Sequence, residues 1–153
     1  MSFQKIPAGK RGNPAMRINP VTQFMITAMQ RFHRFRGDRF MGMDLLYLTT
    51  VGAKSGQERQ VTLSRFPTEK GWLIVASAGG AKVQPAWYHN IATHPDQVWA
   101  EVGGKSFRVR VEQLEGDRRA DAWKRIKAEQ PRYAGYEDKT DRLIPILELT
   151  PAT

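Results

Sequence analysis

The chain has 153 residues, 41% of them hydrophobic and 25% charged, a net charge of +9 and no cysteine. That length and mix suit one domain able to bury about two thirds of its unfolded surface, and they exclude a disordered, collagen-like or coiled-coil chain. The lack of cysteine excludes a disulfide framework, a thiolate metal site and a cysteine nucleophile. No apolar run approaches the roughly 18 residues of a spanning helix, and no secretory signal is visible.

The charge is unevenly spread. Residues 1–40 hold eight basic residues and one acid, Asp38, whereas residues 41–153 hold sixteen and fourteen. A basic segment of this kind can meet nucleic acid, anionic lipid or an anionic ligand. Residues 1–18 are rich in Gly, Pro, Lys and Arg and lack periodicity, which predicts a mobile basic arm. Residues 19–153 then form a single domain. Asn19-Pro20 is a helix start, with Asn as cap and Pro at the first helical position. Val21, Phe24, Met25, Ala28, Phe32 and Phe35 follow at helical spacing, and Gly37 ends the helix. The stripe serves either to pack on the core or to lie on a membrane surface.

Strands come next. Asp44–Thr50 is a short apolar strand, followed by the turn Val51 to Gly56. Arg59–Phe66 is the second strand, ending at Pro67. Trp72–Ser77 reads WLIVAS, apolar throughout, and predicts a central strand buried on both faces. Ala78 to Ala81 is a loop. Pro85 opens a short helix that ends before Pro95. Gln97–Val102 and Lys105–Leu114 form a hairpin about Gly103-Gly104, a pair that tolerates positive φ. Phe107, Val109 and Val111 alternate there with Arg108, Arg110 and Glu112. Asp117 is read as the cap of a helix reaching about Gln130, which Pro131 breaks. Arg132–Asp138 is a second helical piece. Leu143–Leu149 is the last strand, and Pro145 suggests an edge position. Short strands with Gly-rich turns and few helices predict a mainly β (α+β) fold, a small barrel with helices outside.

Hydrolytic chemistry finds little support. His89 and His94 are five apart and face different sides of a helix, so no zinc site is expected. There is no G-x-S-x-G elbow and no phosphate loop ending in Gly-Lys-Ser/Thr. Nor do carboxylates pair in an apolar setting. Two turns carry more. Gly52 to Gly56, with Lys54, Ser55 and Arg59, gathers N–H groups, a hydroxyl and two cations, a set that suits a phosphate or carboxylate. It equally suits a plain hairpin with solvated charges. Ser77-Ala78-Gly79-Gly80 ends a buried strand and runs towards a helix N-terminus, where anions are favoured. The plainer alternative is a loop that needs glycine for its φ angles.

Three strings of residues carry a resemblance. They are Leu48-Thr49-Thr50-x-Gly52-x-Lys54-Ser55-Gly56-x-x-Arg59, Val75-Ala76-Ser77-x-Gly79-Gly80-Ala81, and Pro85-x-Trp87-Tyr88-x-Asn90. Together with Tyr133, Tyr136, Thr140-Asp141-Arg142 and Ile144-Pro145-Ile146, they resemble the deazaflavin (F420)-dependent nitroreductase family of actinobacteria. The similarity spans about residues 20–150. It implies a split β-barrel of the flavin-mononucleotide-binding type with an N-terminal amphipathic helix. It also implies an oxidoreductase that moves a hydride from reduced coenzyme F420 to a quinone, unsaturated carbonyl or nitroaromatic acceptor. Flavin mononucleotide (FMN) is the lesser alternative as cofactor. By match to the family's motif, Lys54, Ser55, Gly56 and Arg59 contact the coenzyme's phosphate or acidic tail. Ala76, Ser77, Gly79 and Gly80 line its ring, and Trp87 and Tyr88 close that pocket. Tyr133 and Tyr136 build the acceptor wall, with Ser64 on the acceptor side. Ser77 and Tyr133 are the candidate catalytic hydrogen-bond donors. No metal is expected, since the cofactor supplies the hydride and the protein supplies orientation and electrostatics.

The chain departs from the family pattern at Ala53 and Ala78, where cations are common, at Ser64, where an aromatic is common, and at Thr62. Gln130 replaces a further tyrosine. The competing reading is a non-catalytic split barrel that binds a lipid or other hydrophobic ligand at the membrane surface. The expected location is cytoplasmic, with the basic helix able to meet an anionic membrane. A nucleic-acid partner is not expected, because no recognition helix or aromatic-rich strand signature is present.

Overall fold

The computed structural model describes residues 4–10, 39–40 and 43–152. The expected helix over 20–36, and residues 11–18 of the expected arm, lie outside the described residues. Among these residues the strands are β1 (Arg39–Phe40), β2 (Met43–Val51), β3 (Glu58–Ser64), β4 (Phe66–Pro67), β5 (Trp72–Val75), β6 (Val98–Val102), β7 (Lys105–Gln113) and β8 (Ile146–Pro151). The helices are α1 (Ala86–Thr93), α2 (Gly116–Glu129) and α3 (Arg132–Lys139), with a single 3-10 turn at Ala78–Gly80.

All strand pairs are antiparallel, in the order β1-β2-β6-β7-β8-β5-β4, and β3 also pairs with β2. β2 and β5 stand well apart in that order, yet Leu46 and Leu48 of β2 share one core with Ile74 of β5. The sheet therefore curls on itself into a split barrel. Val98, Ala100, Val109, Val111, Leu147 and Leu149 fill the same core, and Trp87, Tyr88 and Ile91 of α1 plug it. A second core lies on the outer face. There Leu73, Val75 and Ile146 meet Trp123 and Ile126 of α2 and Tyr133 of α3. Successive residues of β5 point to opposite cores, which accounts for a run without polar residues. The same holds at Ile146-Leu147 of β8.

Several expectations are corrected. β5 is buried on both faces, but it is not central: one neighbour is β8 and the other is the two-residue β4. The Arg59–Phe66 strand divides at Arg65. Its N–H still bonds Asp44 O on β2 at 2.9 Å, and its guanidinium reaches Leu45 O. Phe66 then pairs with Leu73 of β5. Asp117 is not the cap of α2. Glu115 holds the cap position in an extended conformation with no side-chain cap bond, and Asp117 sits in the first turn, where its charge suits the helix dipole. β8 is not an edge strand, because it pairs with both β5 and β7. Pro145 precedes its first paired residue and offers only a carbonyl, which accepts from Ala76 N at 2.9 Å. The missing N–H therefore costs the ladder nothing. The Gly103-Gly104 hairpin forms as expected, with φ of 58° and 80°.

Residues 4–10 run along the body. Ile6 N donates to Tyr88 Oη at 2.9 Å, Gly9 N to Lys82 O at 2.7 Å and Lys10 N to Asp141 Oδ1 at 2.8 Å. Gln113 Nε2 and Gln84 Nε2 donate to Gln4 O and Ile6 O at 3.0 and 3.2 Å. Among the described residues, no helix is long and apolar enough to cross a membrane.

Candidate functional site

The Gly52–Arg59 turn joins β2 to β3. It is closed by Gly52 N to Gln57 O at 2.8 Å and by Gly56 N to Gly52 O at 2.9 Å. Ser55 Oγ accepts from Gln57 N at 3.2 Å, so this hydroxyl is used in shaping the turn. One side chain braces it from the core. Buried Asn90 of α1 accepts from Ala53 N at 2.9 Å and donates to Thr50 Oγ1 at 3.1 Å. Lys54, Ser55, Gly56 and Arg59 are all exposed. The turn therefore presents two cations to solvent on a fixed backbone, an arrangement suited to a phosphate or a carboxylate tail.

The Ala76–Ala81 turn leaves β5 and is built in the opposite way. Ala78, Gly79 and Gly80 have φ of 46°, 64° and 81°. Gly80 N bonds Ser77 O at 2.9 Å. A Cβ on Gly80 would lie 3.0 Å from Tyr136 O and from Lys139 Cβ, so glycine there lets the turn close on α3. Behind the turn lies Arg142, only 6% exposed. Its Nε donates to Ala81 O at 2.7 Å and one terminal nitrogen to Ser77 O at 2.7 Å. The other donates to Ala76 O at 3.1 Å and to Gln84 Oε1 at 2.8 Å. Burial holds the Arg142 pKa below the usual guanidinium range. Ser77 is half-buried, and its side chain makes no cap bond to the turn it starts.

The aromatic residues divide into two groups. Trp87 and Tyr88 are buried in the inner core at 7% and 0% exposure. The Tyr88 hydroxyl donates to Gln113 Oε1 and accepts from Ile6 N, so it is bonded within the protein. Burial raises the Tyr88 pKa, and the Ile6 N–H opposes this. Tyr133, Tyr136 and Ser64 do come together. The rings of Tyr133 and Tyr136 meet edge to face at 5.4 Å, and Ser64 hydrogen-bonds the Tyr133 hydroxyl. Burial raises the Tyr133 pKa, Ser64 and Arg132 lower it, and Tyr136 adds to the rise. Phe66 and Trp123 pack edge to face on the same ring at 5.9 and 6.3 Å.

Sequence reasoning named Asn90 and Arg142 as parts of motifs but assigned neither a task, and Gln84 escaped it. The available signal was an arginine two residues before Ile144-Pro145-Ile146, a run bound for the core. A Cβ on Gly56 or Gly79 would meet nothing within 4 Å, so neither turn is blocked there by the protein. The cations stand beside one of these open positions and the backbone turn beside the other.

Residues 22–151 match the F420H(2)-dependent quinone reductase family. An F420H(2)-dependent quinone reductase of Mycobacterium tuberculosis is 37% identical over 108 residues, which span 69% of this chain and 72% of that protein. The structure of the F420-H2 dependent reductase FDR-A is similar with a TM-score of 0.61 and 38% identity, covering 69% of this chain and 92% of that one. The haem storage protein HutZ of Vibrio cholerae shares the fold at a TM-score of 0.52 and 14% identity, over 84% of this chain and 91% of that one. The curled antiparallel barrel and these likenesses agree: the chain belongs to the F420H(2)-dependent quinone reductase family, and it is a split-barrel oxidoreductase whose cofactor is coenzyme F420.

Proposed function

We propose that this chain reduces quinones to hydroquinones, with Lys54, Ser55, Gly56 and Arg59 holding the coenzyme's phosphate or tail and Ala76, Ser77, Gly79 and Gly80 lining its ring. The observation that carries this reading is that the short stretch Gln84–Asn90 is tied to both turns, to one directly and to the other through Arg142. Asn90 within α1 braces the cationic turn, and Gln84, two residues before α1, braces Arg142 behind the other. When bound, the reduced coenzyme supplies a hydride. A quinone that gains a hydride and a proton leaves as the hydroquinone, so the protein must orient the acceptor and stabilise charge growing on its oxygen. Ser77 and Tyr133 are the proposed donors to that oxygen. A tyrosine hydroxyl is protonated at neutral pH, and burial raises the Tyr133 pKa further, so it is able to donate. Tyr133, Tyr136 and Ser64 form the acceptor wall, and Trp87 and Tyr88 back the pocket from the core. Unsaturated carbonyl and nitroaromatic compounds share the electron-poor character of quinones and are the next acceptors.

The test is a titration of the protein with oxidised coenzyme F420, with flavin mononucleotide in parallel, followed by an assay of reduced-coenzyme oxidation by a naphthoquinone. Tight binding of F420 with much weaker flavin mononucleotide binding, and turnover with quinone, is expected. Binding without turnover on any electron-poor acceptor overturns the reductase reading and favours a hydrophobic-ligand carrier. The same reading sets the protein in the cytoplasm, with its basic residues 1–40 meeting anionic membrane. Co-sedimentation with anionic vesicles is expected, and its absence at low salt removes the membrane part.

A further inference from the structure

We infer that Arg142 is a positioning residue for coenzyme binding, its buried guanidinium holding the Ala76–Ala81 turn in the shape that receives the ring. The inference rests on the proposed use of that turn by the coenzyme. It begins from an unusual placement of charge. Arg142 is nearly fully buried, and its four described acceptors are three main-chain carbonyls and the Gln84 amide, none of them a carboxylate. A buried cation is costly, and an apolar side chain of similar volume often serves packing as well or better. Packing alone therefore does not account for it.

What the guanidinium does is specific. Ala76, Ser77 and Ala81 bracket the left-handed run Ala78–Gly80. All three carbonyls accept from the guanidinium, Ser77 O in addition to the Gly80 N–H. A planar fork with five N–H groups reaches all three and the Gln84 amide at once; a lysine, with a point charge and three donors, does not. A non-glycine residue at positive φ, as at Ala78, persists only where its surroundings over-determine it. A Cβ on Gly79 would meet nothing within 4 Å. The guanidinium thus holds the turn through its carbonyls.

The clamp has a second layer. Gln84, 4% exposed, accepts from Arg142 and donates to Ile6 O at 3.2 Å. Asp141, the neighbour of Arg142, accepts from Lys10 N at 2.8 Å. The order of contact runs from residues 4–10 through Gln84 and Arg142 to the turn.

The test uses the full chain as wild type, Arg142→Lys and Gln84→Ala. Each is titrated with oxidised coenzyme F420, melted, and followed by amide exchange. Arg142→Lys is expected to melt cooperatively, to lose roughly tenfold in coenzyme affinity, as the loss of charge-assisted bonds implies, and to exchange faster at Gly79, Gly80 and Ala81 with no change in β6. The quinone KM at saturating coenzyme should stay as in wild type. Gln84→Ala should show the same pattern at roughly threefold, since one bond of the clamp is lost. A purely structural role would lower the melting temperature and leave affinity per folded molecule unchanged, and that result overturns the inference. If Arg142→Lys does not fold, Gln84→Ala decides: unchanged affinity and unchanged exchange in the turn sink it. Failure of the wild type to bind the coenzyme overturns the functional reading, and this inference with it. Binding that both variants share equally overturns this inference alone.

Discussion

The turn after β2 and the turn after β5 use cations in opposite ways. At Gly52–Arg59 the charges are exposed, the backbone is tied to itself, and one amide, Asn90, joins it to the core. At Ala76–Ala81 the charge is buried behind the turn, and the turn itself carries only alanine, serine and glycine. The first arrangement attracts an anion from a distance and is weakened by salt. The second commits its cation to main-chain carbonyls and supplies shape. A ligand with a charged tail and a flat ring needs both, and the separation lets affinity and orientation be altered independently.

The sharpest way to break the inner turn is Gly80→Ala. The new Cβ would sit at positive φ and 3.0 Å from Tyr136 O. A stability loss of about 3 kcal/mol is expected in denaturant unfolding, the sum of left-handed strain and a backbone clash. A near-neutral result would mean that α3 can move away from the turn.

Lys54→Ala and Arg59→Ala probe the outer turn. Each should weaken coenzyme binding by about 1.5 kcal/mol at low salt, the low end for a charge-assisted contact because both side chains are exposed. Raising salt should shrink that difference and leave melting temperatures alone. Unchanged binding in both variants would take this turn out of the site. The converse variant, Ala53→Arg, should strengthen binding several-fold.

A smaller effect is expected at Ala78, the described non-glycine residue with φ of 46°. Ala78→Gly should stabilise the folded protein by about 1 kcal/mol, by releasing left-handed strain, with unfolding midpoint as the readout. If stability rises while coenzyme binding falls, the alanine is helping to hold the turn rigid.

The smallest effect is read by pH and concerns the layer behind the inner turn. His89 is held below its ordinary pKa of 6.5 by burial and by Lys5, whose Nζ lies 3.5 Å from the ring. The unfolded chain therefore takes up that proton first. The contribution of this group to stability is complete above pH 6.5 and is lost as pH falls through the lower folded value. Lys5→Ala should move the His89 titration upward in an NMR pH series. No movement would mean that residues 4–10 do not stay against α1 in solution.

Much of this was legible in the residues. Gly103-Gly104, the alternation along Lys105–Gln113 and the helix after Pro85 are local signals, and each produced its element. Asp117 misled because a residue good at capping lies two positions past the actual cap, Glu115. Pro145 misled because proline marks an edge only when it lies within the paired region, and here it stops one residue short. The meeting of Ser64 with Tyr133 and the Arg142 clamp were invisible for a different reason. They join positions 69 and 61–66 residues apart in the chain, beyond any periodicity or spacing rule.

By itself, then, the sequence determined the order of the main described strands and helices, the two glycine-containing turns between them, and the family. These follow from spacing, propensity and composition, which act over a few residues. Only the tertiary structure decided that β8 lies inside the sheet, that β5 lies near its margin, and that an arginine close to the C-terminus shapes a turn in the middle. Curling the sheet brings β5, α1 and the segment before β8 to one place, and a buried guanidinium is tolerated only where three carbonyls already converge.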